Sequence, residues 1–254
     1  MTALEGIQDL AASELLSWAI ESFGRQFAIC TSFQDSGMVL LDMAVQLDPQ
    51  VRVITLDTGR LPEETHQMIE TVRQRYGAHV EMVSPDVDEL EAMTGRHGPN
   101  LFYREPALRR LCCQIRKVRP LERKLADMQA VAFGLRREQA DTRSAITKAE
   151  YSGRIWKLHP LADWTPGQVR QYLTARDVPR HPLYDRGYNS IGCAPCTRAV
   201  QPGEPERAGR WWWENDGAKE CGLHVNPNGS IRRRLDVLIE DVLGSIPAAR
   251  SRLN

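Results

Sequence analysis

Phe27-Ala28-Ile29-Cys30-Thr31-Ser32-Phe33-Gln34-Asp35-Ser36-Gly37-Met38 is the passage on which an α/β assignment turns. A short β-prone run, Phe27 to Thr31, meets a few hydroxyl and amide side chains and then an apolar helical stretch, Met38 to Val45. A strand that yields to a helix across so short a turn is the repeating step of a parallel sheet with crossover helices. Such a turn also presents a helix N-terminus, where backbone N–H groups and the helix dipole favour a phosphate or sulfate. The loop lacks the lysine and the glycine spacing of a Walker A loop, so it does not cradle a triphosphate in that way. On its own it reads equally as an anion site and as an ordinary strand-to-helix turn.

Working outward, the same rhythm recurs. Val51 to Leu56, His79 to Val83, Ala130 to Leu135 and Ile155 to Leu158 are short β-prone runs of the kind buried in parallel sheets. Pro62 to Tyr76 predicts a helix, with Glu63 and Glu64 at its positive end, Arg73 and Arg75 at its negative end, and Gly77 as its stop. Thr165-Pro166 opens another that runs to about Val178. Ile7, Leu10, Leu15, Trp18 and Ala19 describe an amphipathic N-terminal helix, and Ile231 to Leu243 a closing one. From Pro179 to Ile231 the composition turns to Pro, Gly and Arg, which reads as loops folded over the ligand-binding edge. The expected architecture is an open, mostly parallel α/β sheet flanked by helices with a C-terminal mobile segment, divided as a nucleotide-binding domain over 1–205 and a C-terminal segment over 206–254.

Two further strand ends bear polar groups. Leu56-Asp57-Thr58-Gly59 closes the second strand, and two such turns on neighbouring strands point to a nucleotide crevice. Gly134-Leu135-Arg136-Arg137, with Arg143 beyond, supplies three guanidinium groups suited to phosphate and sulfate oxygens, or else a solvated basic face.

The chain of 254 residues, 42% of them hydrophobic, suffices for a sizeable core. Lys plus Arg and Asp plus Glu are equal at 33 each, so overall charge offers no reason to expect nucleic acid or an anionic membrane as a partner. No signal-peptide pattern precedes Leu16, and no apolar run spans a bilayer, so a soluble cytoplasmic protein is expected. In that compartment six cysteines point to metal binding or catalysis before disulfides. Cys112 and Cys113 are adjacent, whereas Cys193 and Cys196 are separated by Ala194 and Pro195. Adjacent cysteines suit a tetrahedral zinc poorly. In a cubane each thiolate binds its own iron, so this spacing favours a four-iron, four-sulfur cluster over zinc. Cys30, within a strand pattern, reads as a core thiol.

Further motifs complete a pattern: Arg116-Lys117-Val118, Glu138-Gln139, Pro160-Leu161-Ala162-Asp163-Trp164, Ile191-Gly192-Cys193, Thr197-Arg198-Ala199, Gly209-Arg210-Trp211-Trp212-Trp213 and Glu220-Cys221-Gly222-Leu223-His224. With the strand-end and cysteine motifs above, they make the chain resemble, over most of its length, the assimilatory adenylylsulfate reductases of the thioredoxin-dependent, iron-sulfur type. The resemblance implies an adenine-nucleotide alpha-hydrolase-like (PP-loop) fold, with the loop at Thr31 to Gly37 holding a phosphosulfate. It implies Cys221 as nucleophile and Cys112, Cys113, Cys193 and Cys196 as ligands of a [4Fe-4S] cluster. The implied substrate contacts are Ser32, Phe33, Gln34, Asp35, Leu56, Gly59, Lys117, Arg136, Arg207 and Arg210, with Lys117 between cluster and substrate.

Chemistry then follows. A Cys221 thiolate attacks the sulfur of the mixed anhydride and expels AMP, and a dithiol protein such as thioredoxin releases sulfite from the S-sulfocysteine. This places the chain in sulfate assimilation and cysteine biosynthesis. Because Cys221 must meet both substrate and thioredoxin, the segment from Gly217 to His224 is expected to swing. Two departures stand out: Ala140 and Asp141 occupy positions where a hydroxyl residue is expected, and residues 225–254 continue past a motif near which relatives often end. The same chemistry on the 3'-phosphorylated substrate, or on both, is the nearest alternative. A zinc-stapled nucleic-acid module and an ATP-using RNA-thiolating enzyme are more distant ones. Homo-oligomerisation is left open by the sequence.

Overall fold

The structure, a computed structural model, describes residues 3–214 and 229–246. Helices α1 (Ala3–Gln8) and α2 (Ala12–Phe23) precede β1 (Phe27–Cys30), α3 (Asp35–Leu47), β2 (Arg52–Leu56), α4 (Glu63–Tyr76) and β3 (Val80–Val83). Next come α5 (Val87–His97), α6 (Pro106–Cys113), a π-helical turn (Gln114–Val118) and α7 (Arg119–Lys124). The order ends with β4 (Ala130–Phe133), β5 (Ala149–Tyr151), β6 (Trp156–Leu158), α8 (Pro166–Ala175) and α9 (Gly229–Gly244). The chain forms two compact units: Met1–Thr55, Arg60–Met82 and Leu125–Trp212 in the first, and Leu56–Gly59, Val83–Lys124 and Trp213–Asn254 in the second.

The first unit is built on a mixed sheet of six strands among the described residues, in the order β3-β2-β1-β4-β6-β5. β1 runs parallel to β2 and to β4, and β4 parallel to β6, so the five β-prone runs of the sequence are all strands of this sheet. β5 pairs antiparallel with β6 at the edge. It is three residues long with Glu150 and Tyr151 exposed, too short and too polar to stand out as a strand in the sequence. From β1 the chain steps to β2 and then β3 on one side, while β4 lies on the other side. The carboxyl ends of β1 and β4 therefore form the topological switch point, where open α/β sheets take their ligands.

Local chemistry explains the helices. Pro62 is the N-cap of α4, and Gly77 ends it in the left-handed region at φ 63°, its N–H donating to the Arg73 carbonyl. Thr165 and Gln168 cap α8 reciprocally: the Gln168 amide donates to Thr165 Oγ1 at 3.2 Å and the Thr165 amide to Gln168 Oε1 at 2.8 Å. The amphipathic N-terminus is two helices. The Ala11 amide donates to Glu14 Oε2 at 2.7 Å, so α2 starts afresh there. Leu15 and Leu16 of α2 are fully buried, with Phe27 and Ile29 of β1, Leu40 and Leu41 of α3, and Leu173 of α8 in the same core. Each such side chain contributes about 1.5–3 kcal/mol through apolar burial.

One contact fixes the switch point. An ideal Cβ on Gly134, just after β4, would lie 2.8 Å from the backbone nitrogen of Gly37 and from the carbonyl carbon of Ser36, in the first turn of α3. Only glycine lets these backbones approach so closely. Gly134→Ala is expected to cost about 1–3 kcal/mol, as over-packing does where both neighbours are backbone. Urea unfolding should show a lower midpoint with an unchanged slope; an unchanged midpoint would mean that the two loops separate freely.

The second unit is helical. Asp86 caps α5, accepting from the amides of Asp88 and Glu89 at 3.0 and 3.1 Å. α9 buries Leu235, Leu238 and Val242 and packs on α5 and α6, so the closing helix foreseen over Ile231 to Leu243 docks within this unit. Arg96 pairs with Asp241 at 3.1 Å, and Arg109 of α6 grips Glu214 through two bonds of 2.6 and 2.9 Å with both side chains buried. No helix among the described residues is long and apolar enough to cross a membrane.

Candidate active site

The loop between β1 and α3 is shaped by its own side chains. Thr31 Oγ1 accepts from the Phe33 amide at 3.0 Å and lies where a Cβ on Gly37 would stand, so that position requires glycine. Phe33 is fully buried with φ 56°, in the left-handed region that a bulky residue enters at a cost. Such strain, held by burial, is characteristic of functional turns. It directs the chain into α3, whose positive dipole end lies at the switch point.

From this loop a connected set of bonds extends through the first unit. Gln34 Nε2 donates to Ser32 Oγ at 2.8 Å, while Gln34 Oε1 accepts from the Ile191 amide at 2.7 Å. The Ile191 carbonyl in turn accepts from Arg210 Nη1 at 3.3 Å. Arg207 donates to Ser190 Oγ at 3.4 Å. Arg136, after β4, donates through Nε to Ser36 Oγ at 3.0 Å and through Nη1 to the Trp164 carbonyl at 3.3 Å. Arg180 holds Asp35 with bonds of 3.2 and 2.9 Å and lies over the Tyr184 ring, whose hydroxyl accepts from the Asp35 amide. Ser32, Phe33, Gln34, Asp35, Arg136, Arg207 and Arg210 thus belong to one region of one unit.

Arg210 is built in with unusual care. A Cβ on Gly192 would fall 2.6 Å from its Cζ, and the guanidinium stacks on Trp211 at 4.5 Å. Its Nε is buried without a hydrogen-bond partner among the described residues. A buried, incompletely satisfied guanidinium suits an anion better than a structural role.

Three arginines follow β4, but they diverge. Arg143 donates to Gln139 Oε1 at 2.7 Å, whereas Arg137 turns away to the Ile146 carbonyl at 2.8 Å. Glu206 is the residue that sequence reading missed. Its carboxylate lies 3.7 Å from Arg136 Nη2. Burial raises its pKa above the ordinary carboxylate value, against the opposing pull of Arg136, Arg207 and Arg143, and Asp35 raises it further. An acid one position before Arg207 carries no periodic or spacing signal.

The cysteines divide between the units. Cys193 and Cys196 lie in the first unit at the ends of a tight turn, the Cys196 amide donating to the Cys193 carbonyl at 2.9 Å. Thr197 Oγ1 donates to the Cys193 carbonyl at 3.0 Å and accepts from the Gly192 amide at 3.1 Å, which fixes the turn. Cys112 and Cys113 end α6 in the second unit. All four are buried thiols outside any disulfide, a donor set whose chemistry fits an iron-sulfur cluster. Among the described residues no three His, Cys, Asp or Glu side chains stand together as metal ligands. Burial pushes the Cys30 thiol up to about 12, so it stays protonated and unreactive.

In the second unit the π-helical turn follows Cys113 directly, a departure common at functional sites. It carries Arg116 and the half-buried Lys117. Arg116 Nη1 donates to the Thr58 carbonyl at 2.6 Å, beside Gly59 at φ 66°. Leu56 and Gly59 belong with this unit. Cys221 lies outside the described residues, as does the Gly217 to His224 segment expected to swing. Of the tryptophans, Trp211 is buried, Trp212 is partly exposed, and Trp213 packs on Tyr103 at 4.5 Å.

Comparison with known proteins agrees with this geometry. Residues 26–199 match the phosphoadenosine phosphosulfate reductase domain family. The adenosine 5'-phosphosulfate reductase of Burkholderia cepacia is 48% identical over 202 residues, covering 79% of this chain and 80% of its own. That of Allochromatium vinosum is 42% identical over 219 residues, covering 85% of each. A solved phosphoadenylyl-sulfate reductase from Candida auris, in a phosphate complex, superposes with a TM-score of 0.63 at 29% identity, over 77% of this chain and 93% of that one. The FMN adenylyltransferase of Candida glabrata, at 12% identity and a TM-score of 0.52 over 90% of this chain and 76% of that one, shares the fold alone. With an α/β sheet that has a β1/β4 switch point, and matched over most of its length by these reductases, the chain belongs to the phosphoadenosine phosphosulfate reductase family.

Proposed function

We propose that this chain reduces adenosine 5'-phosphosulfate to sulfite and AMP, with Cys221 as the nucleophile and a dithiol protein of the thioredoxin kind as electron donor. The observation that carries the reading is the placement of Arg136, Arg207 and Arg210 around the loop at the N-terminus of α3. There the phosphosulfate would lie against the helix dipole and the guanidinium groups. The relatives at 42–48% identity are named for the unphosphorylated nucleotide, which favours it over the 3'-phosphorylated one.

In the first step the Cys221 thiolate forms a bond to the substrate sulfur while the sulfur–oxygen bond of the anhydride breaks, and AMP leaves with the electron pair. The arginines hold the substrate and offset charge growing on the leaving phosphate. In the second step a thiolate of the donor attacks the Cys221 sulfur, sulfite departs with the electron pair of the broken bond, and the donor's second thiol releases Cys221. The two electrons come from the dithiol. Cys112, Cys113, Cys193 and Cys196 would hold a [4Fe-4S] cluster, which when bound would supply a fixed local charge. Lys117, four residues after Cys113, would act between that group and the substrate.

Mixing the protein with adenosine 5'-phosphosulfate in the absence of reductant should leave one sulfonate group on Cys221, identified by peptide mass spectrometry, and release one equivalent of AMP. A sulfonate on Cys30, or none, would refute the assignment.

A further inference from the structure

Within this reading, one carboxylate is out of character. Glu206 belongs to neither the loop nor the cysteine turn, yet its side chain, 38% exposed, reaches 3.7 Å from Arg136 Nη2. The charged groups that face it come from several elements: Arg136 after β4, Arg143 in the turn that follows, Arg207 beside it, and Asp35 and Tyr184 across the loop. A site that must hold a doubly charged anhydride has no evident use for a further anion against its principal cation. Arg136 itself is 4% exposed and already committed to Ser36 and Trp164, so the atom paired with Glu206 is the one an incoming anion would need.

We propose that Glu206 is a charge placeholder: between turnovers it offsets the arginine cluster, and an anionic substrate displaces it from Arg136, with uptake of one proton from water onto its carboxylate. The inference rests on the site's taking a phosphosulfate. The balance is simple, because an anion replaces an anion and the displaced carboxylate, half-buried and now beside added negative charge, is protonated. Burial already holds its affinity for a proton above the ordinary carboxylate value. The sign follows. Binding that takes up a proton tightens as pH falls and weakens as pH rises through the pKa of the bound state.

The test uses ligands that do not titrate in the range studied. Affinity of full-length Cys221→Ser protein for adenosine 5'-phosphosulfate, and separately for inorganic sulfate, is followed by tryptophan fluorescence from about pH 5.5 to 8.5, with and without Glu206→Gln. With Glu206 present, affinity should fall by up to about tenfold per pH unit over part of the range. With glutamine the profile should flatten, and binding at the alkaline end should be tighter, on the order of threefold, since a competing ion pair is gone. Equal pH slopes in both proteins, or weaker binding with glutamine throughout, would overturn the placeholder. Should the nucleotide fail to bind while sulfate shows the Glu206-dependent slope, the placeholder stands and the substrate assignment falls.

Discussion

Cys221→Ser is expected to abolish sulfite production, by a factor on the order of 10⁴ to 10⁶, as loss of a covalent nucleophile does. Both steps would fail for separate reasons. A serine hydroxyl is almost never ionised near neutral pH, so attack on the anhydride sulfur is lost. Any sulfate ester that did form would also be a dead end, because a dithiol is oxidised only by attacking sulfur, and serine offers it oxygen. Nucleotide binding should survive, since Arg136 and Arg210 are held by Ser36, Trp164 and Ile191. Cys30→Ser supplies the contrast. Its thiol, pushed up to about 12 by burial, is never the nucleophile, so sulfite release should continue. Coupled assay of sulfite with thioredoxin and its reductase reads both variants; sulfite release by Cys221→Ser near the parent rate would remove the thiol mechanism altogether.

The parts of this protein that repeat were legible in its sequence. Five strands and the α4 and α8 helices announce themselves through short β-prone runs, the Pro62-Glu63 and Thr165-Pro166 starts and Gly77, all signals contained within a dozen residues. What eluded the sequence depends on contacts between distant residues. β5 is a strand because β6 lies beside it, not because Ala149-Glu150-Tyr151 alternates. α6 breaks into a π turn just after Cys113, a backbone choice with no compositional sign. The same holds in the site. Gln34 and Arg210 were identifiable as candidates, but not the Ile191 backbone that joins them, and Glu206 draws its meaning from Arg136, 70 residues earlier. Motif likeness named candidate substrate contacts; it was silent about the carboxylate and backbone groups that pair with them.

Arg136→Ala is expected to lower kcat/KM by about 10²- to 10⁴-fold, on the footing that two charge-assisted contacts of about 1.5–3 kcal/mol each are lost. Both parameters should move. KM should rise because the ground-state phosphosulfate loses a cation, and kcat should fall because negative charge grows on the leaving phosphate as the sulfur–oxygen bond opens. Arg136→Lys separates charge from geometry. The guanidinium points three ways at once, to Ser36, to the Trp164 carbonyl and to Glu206, and an ammonium on a flexible stem cannot reproduce that fork. Lysine should therefore recover only about tenfold of the loss. A purely structural role for Arg136 would instead show as a lowered unfolding midpoint with kcat/KM per folded molecule preserved. If kcat/KM in Arg136→Ala stays within about threefold of the parent, a change no larger than a surface ion pair produces, the phosphosulfate does not sit at the switch point between β1 and β4.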